Sequence, residues 1–163
     1  MKLSSRSLLL AAVALRLCGV GLCADTKYGL AADNRIVAQQ LVNRLVAQEP
    51  SLLTAGMHCV APGGTVQTIV ASTLNVIGKP SDPNDVDVGQ HGCTLVSPNP
   101  AKAKIGVMLP LHDRSGQLIG ALALAFNYRD GDDEVKSFVE ARAIRDRVAQ
   151  DIAGLAALFA KTP

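Results

Sequence analysis

Two histidine–cysteine pairs are the residues best placed by type to do chemistry: His58-Cys59 and His91-Gly92-Cys93. Two imidazoles and two thiolates are the donor set of a tetrahedral zinc site. Adjacent residues on a strand point to opposite faces, however, so His58 and Cys59 do not readily share one metal. No C-x-x-C or C-x-x-C-H spacing occurs, which removes the usual haem-attachment signature. Asp82, Asn84, Asp85 and Asp87 supply oxygens at calcium-site density. Their spacing fails the EF-hand pattern and reads as a solvated loop. Lys79, after Ile77-Gly78, is a candidate partner for an anionic ligand such as a carboxylate. Thr68 and Ser72 share a face of one expected strand, where their hydroxyls would line a polar pocket. His112-Asp113 with Ser115 has the residue types of a hydrolytic triad, but Asp-x-Ser-Gly is ordinary turn chemistry. With no G-x-S-x-G elbow, H-E-x-x-H or P-loop, the expectation is a protein that is not an enzyme, with no cofactor and no metal.

Composition narrows the function classes. The chain has 163 residues, 48% hydrophobic and 18% charged, with a formal net charge of +2. That is too apolar and too weakly charged for disorder. A chain without Trp, with 3 Phe and 2 Tyr, lacks both the basic excess and the stacking platforms of a nucleic-acid binder.

Residues 1–24 read as a secretory signal peptide. Lys2 and Arg6 precede the apolar run SLLLAAVALRLCGVGL, and Cys23-Ala24 precede polar Asp25-Thr26-Lys27. Arg16 is the one charge inside that run. Its removal takes away Lys2, Arg6 and Arg16 and leaves residues 25–163 near neutral or slightly acidic, with no further segment apolar enough to span a membrane. Cys18 and Cys23 go too. Cys59 and Cys93 then remain in a periplasmic or secreted, oxidising setting, where one disulfide is the simplest expectation. It would close a loop of about 35 residues, worth roughly 3–4 kcal/mol.

The elements that must position these residues follow from periodicity. Asp33 or Asn34 would cap a helix whose apolar stripe is Ile36, Val37, Leu41, Val42, Leu45 and Val46, ended by Pro50. Residues 52–60 and 66–74 read as a hairpin across Pro62-Gly63-Gly64. The polar stretch 78–100 reads as a long loop with at most one helical turn near 83–86. Residues 105–111 and 117–127 form a second hairpin. In its last strand Leu118, Leu122, Leu124 and Phe126 alternate with Ile119, Ala121, Ala123 and Ala125; a strand apolar on both faces is central to its sheet. The Leu face suits a core or pocket, the Ala face close packing of a helix. The acids 130–134 start a long C-terminal helix with an apolar stripe at Val135, Phe138, Val139, Val148, Ile152, Leu155 and Phe159. The sum is a single α+β domain over 25–163, with an antiparallel sheet of four to five strands between a long N-terminal and a long C-terminal helix.

The segments TIVAST (68–73) and VIGKPSD (76–82), with the hairpin 105–126, resemble the middle and closing hairpin of Cache domains, over roughly residues 33–127. Cache domains are PAS-like extracellular modules that bind small molecules on one face of an antiparallel sheet. The resemblance implies an exported sensory domain holding a small polar or anionic ligand, with His58, Thr68, Ser72, Lys79 and His91 as candidate contacts. Receptor Cache domains are followed by a transmembrane helix, whereas an amphipathic helix follows here. The other readings are an interaction protein that dimerises through the C-terminal helix without a ligand, and a metal- or haem-binding protein using His58 and His91.

Overall fold

The computed structural model describes residues 35–162. The expected signal peptide (1–24) and the helix caps Asp33 and Asn34 lie outside the described residues. In chain order the elements are α1 (Val37–Gln48), β1 (Leu52–Val60), β2 (Gln67–Ser72), α2 (Pro83–His91), β3 (Leu95–Asn99), a 3₁₀ turn (Pro100–Lys102), β4 (Lys104–His112), β5 (Leu118–Asn127), α3 (Glu134–Asp151) and the short α4 (Leu155–Leu158). The five strands form one antiparallel sheet in the order β2-β1-β5-β4-β3. The expected α+β architecture is the observed one, with β5 central.

Pairing registers assign two faces. Ala55, Met57 and Cys59 of β1 stand with Leu122, Leu124 and Phe126 of β5 and Ile105, Val107, Leu109 and Leu111 of β4. This is the main core face. The stripe Ala38, Leu41, Val42 and Leu45 of α1, spaced three and four apart, closes it from one side. Ala141, Ile144 and Val148 of α3, with Ile152 and Leu158, close it from the other. The opposite face carries Gly56 and His58, Ala121, Ala123 and Ala125, and Gly106 and Met108. There α2 seats Val88 against Met108 and Ala121.

Three elements differ from the sequence expectation. The stretch 78–100 holds a nine-residue helix and an edge strand. Pro83 sits in the first turn of α2, where a missing N–H costs nothing, and Gly92 ends it in the left-handed conformation. Pro98 lies in edge strand β3, the place where a sheet tolerates proline. The C-terminal helix stops at Asp151, because Ile152 is extended, and a separate short turn follows Gly154. Its apolar stripe is also displaced. Val135 and Val139 are exposed while Val148 and Ile152 are buried in the domain's own core. The two ends of the described chain pair with each other: Val37 N–H donates to the Ala160 carbonyl and Thr162 N–H to that of Arg35.

Candidate functional site

The α2 side of the sheet carries a cavity of about 220 Å³. Its floor is made of small residues, Gly56, Gly106, Ala123 and Ala125, and its walls of Ile69, Leu74 and Val76, with Thr54, His58 and Ser72 as polar members. The floor exists because β1, β4 and β5 present Gly or Ala at facing register positions, Gly56 opposite Ala123 and Gly106 opposite Ala125. Side chains of ordinary size would fill the space. The Ala face of β5 thus makes the cavity floor as well as the seat of α2, and the Leu face is core.

His58 is the buried polar residue of the site, 5% exposed. Its Nδ1 lies 3.0 Å from Ser81 Oγ and 3.6 Å from Asp85 Oδ2. The edge of β2 positions both partners. Ser81 N–H donates to the Gln67 carbonyl (2.9 Å), and Gln67 Nε2 donates to the Asp85 carbonyl (2.8 Å). Gly89 lets that helix sit so close: a Cβ there would fall 2.2 Å from Gln67 Oε1. Burial pushes the His58 imidazole below its ordinary pKa, Asp85 and Asp82 act in the opposite sense, and Lys79 lowers it further. The ring is therefore neutral at pH 7.

A stability signature follows. The folded state takes up a proton on His58 less readily than the unfolded chain, whose imidazole titrates near 6.5. The stability from neutral, buried His58 is complete above that value and declines as pH falls below it. Melting temperatures between about pH 7.5 and pH 5.5 should fall for the wild type and fall less for His58→Asn. Equal slopes would contradict the buried neutral imidazole.

The other expected contacts are dispersed. Ser72 lines the cavity; its Oγ accepts from Leu74 N–H, and Gln39 of α1 brackets its backbone by hydrogen bonds to both N–H and carbonyl. Thr68 does not join it. A β-bulge between the Met57–Ala71 and His58–Ile69 pairs leaves Val70 as an extra residue, so Ser72 stands opposite Gly56 and Thr68 opposite Cys59, on the other face. Lys79 is half-exposed at the surface, 4.0 Å from Asp82, and does not line the cavity. His91 is exposed at the end of α2, with Nδ1 3.1 Å from Asp87 Oδ1. His58 and His91 thus stand apart, and among the described residues no three His, Cys, Asp or Glu side chains group as metal ligands. Asp113 is buried, and its carboxylate accepts from Ser115 N–H, Ser115 Oγ–H and Gln117 N–H. These bonds, that from the Ser115 hydroxyl foremost, hold its pKa below the ordinary value. The group staples its turn.

The expected disulfide is absent: Cys59 and Cys93 are both free thiols. Cys59 sits on the core face of β1, while Cys93 is exposed just beyond α2, which packs on the opposite face. The sheet separates them. Burial pushes the Cys59 thiol up to about 12. Iodoacetamide should therefore label Cys93 in the native protein and Cys59 only after denaturation. Peptide mass mapping checks this; a Cys59–Cys93 peptide, or native labelling of Cys59, would contradict it.

Sequence reading named Asp85 only among loop oxygens and passed over Ser81, because both partners of His58 fall in a stretch read as solvated loop. The readable signal for that helix was Asp82-Pro83 at one end and Gly92 at the other. It also passed over the glycine–alanine floor, since small residues carry no chemistry of their own.

No protein-family model matches the sequence, and no curated protein matches it. Solved structures do. A GAF domain from A. aeolicus, described in an inactive state, has a TM-score of 0.51 at 13% identity, covering 69% of this chain and 78% of its own. A type II free methionine-R-sulfoxide reductase from Thermoplasma acidophilum has a TM-score of 0.50 at 13% identity, covering 77% and 93%. The likeness is one of fold, and the fold is GAF/PAS-like. The second neighbour corrects the expectation that the chain is not an enzyme. The same arrangement of sheet and helices carries a reductase, so a lack of familiar catalytic motifs does not exclude catalysis here.

Proposed function

We propose that this chain is an exported sensory domain that binds a small molecule with one polar group in the cavity on the α2 side of the sheet, beside Leu74 and Val76. The observation that carries the reading is the cavity itself. A glycine–alanine floor, apolar walls and one buried histidine make a space shaped for a small ligand, with few polar groups to orient it. The Cache resemblance over roughly residues 33–127 supports the same reading. The pattern of residues 1–24 supports export to the periplasm or the outside medium. Among the described residues no helix is long and apolar enough to cross a membrane.

Gly106→Leu tests the site. A Cβ at Gly106 meets nothing closer than Ser97, at 3.9 Å, so the larger side chain enters the cavity without backbone conflict. A panel of small alcohols, amines and acids should raise the wild-type melting temperature for some members. Gly106→Leu should fold and lose every such shift. Shifts that persist in the filled variant would place binding elsewhere, and a flat wild-type response across the panel would refute the reading.

A further inference from the structure

The polar group of the ligand can be read from the histidine that meets it, an inference that rests on the cavity assignment above. We infer that the cavity selects a small aliphatic alcohol or amine, whose O–H or N–H donates to His58 Nε2, and discriminates against carboxylates. The carboxylate of Asp85, 3.6 Å from His58 Nδ1, can only accept, and Ser81 Oγ at 3.0 Å can accept as well. Together they favour the tautomer with the proton on Nδ1. Nε2 then carries the lone pair. No described residue partners Nε2, and His58 lines the cavity while being 5% exposed. The polar atom offered to a ligand is thus an acceptor, and a donor satisfies it.

A carboxylate would bring a lone pair against a lone pair. It would also meet the charges around this ring, Asp85 and Asp82, with Lys79 as the one nearby cation. Lys79 is drawn to Asp82 at the surface, and no Lys or Arg lines the cavity. This reverses the anionic preference expected from the sequence. Size follows from volume. An apolar cavity of about 150 Å³ accommodates benzene, so this one, which opens to solvent past Leu74, has room for at least about six non-hydrogen atoms.

The test uses three probes of one shape: 3-methylbutan-1-ol, 3-methylbutylamine and 3-methylbutanoate. Each is titrated into the full chain at neutral pH and followed by protein NMR. The alcohol and the amine should bind at least about tenfold more tightly than the acid. His58→Leu, which keeps the apolar volume, should weaken the alcohol by about tenfold and leave the acid unchanged. An acid that binds as well as the alcohol, or an alcohol indifferent to His58→Leu, would overturn the donor assignment and leave the cavity reading standing. If no probe binds and Gly106→Leu leaves the wider panel unaffected, the cavity reading itself falls and this inference with it. Should His58→Leu not fold, imidazole ¹⁵N shifts of the wild type decide. A protonated Nδ1 with bare Nε2 is expected, and the reverse tautomer would overturn the assignment.

Discussion

Gly120→Ala is expected to lower the melting temperature by roughly 10–25 °C, a loss of about 3–5 kcal/mol. Gly120 has φ +155° and lies where β5 crosses beneath β1. A Cβ there would sit 2.3 Å from the His58 carbonyl oxygen and 2.7 Å from Cys59 Sγ. The nearer atom is backbone in the middle of the sheet, so relief requires the central strand pair to part rather than a side chain to turn. The displaced segment is the one that holds His58, so ligand binding should fall with stability. Gly56→Ala is the contrast. It lies in the same strand pair, but its Cβ would meet the Ala71 carbonyl at 3.4 Å, an ordinary contact. Its cost should stay within about 1 kcal/mol. Thermal melts of both variants check the pair, and equal losses would contradict the close approach at Gly120.

Leu122→Ala should cost about 3–5 kcal/mol. Leu122 is fully buried, on the central strand, facing Met57 on one side and Leu109 on the other. Truncation leaves a void that neighbours held by ladder hydrogen bonds on both sides cannot collapse to fill. The neighbouring Ala123→Leu points to the other face, into the cavity. It should leave the fold standing and remove ligand binding. Urea melts together with ligand titrations separate the two outcomes; loss of binding in Leu122→Ala at full stability would contradict the assignment of faces.

The parts of this fold set by strong periodicity were readable. The stripe of α1 and the doubly apolar β5 bury most of what their spacing says they bury, whereas the β1–β2 hairpin forms as expected but leaves Val66 and Leu74 exposed. What escaped was set by geometry without a residue signature. The bulge at Val70 turns Thr68 away from Ser72, although their spacing of four residues would put both on one face of a regular strand. Helix α2 is built from Asp, Gly and β-branched residues of low helix propensity, so its ends announce it better than its interior. Along α3 the valines of the first two turns, Val135 and Val139, read as core but stay exposed, while Ala141, Ile144 and Val148 make the contact. For the site, His58 and Ser72 were legible as polar residues on apolar strands. Asp85 and Ser81 became meaningful only once the crossover folded over the sheet. The disulfide expectation failed for a related reason: sequence gives the number of thiols but not the face on which each one lies.

The most direct measurement is a titration of 3-methylbutan-1-ol into the wild-type chain, followed by backbone and methyl chemical shifts. Perturbations should be confined to the α2 side of the sheet, at Gly56, His58, Ile69, Gly106, Ala123 and Ala125, and be absent in Gly106→Leu. Perturbations that instead fall on α1 and α3, or that survive in Gly106→Leu, would contradict the cavity assignment.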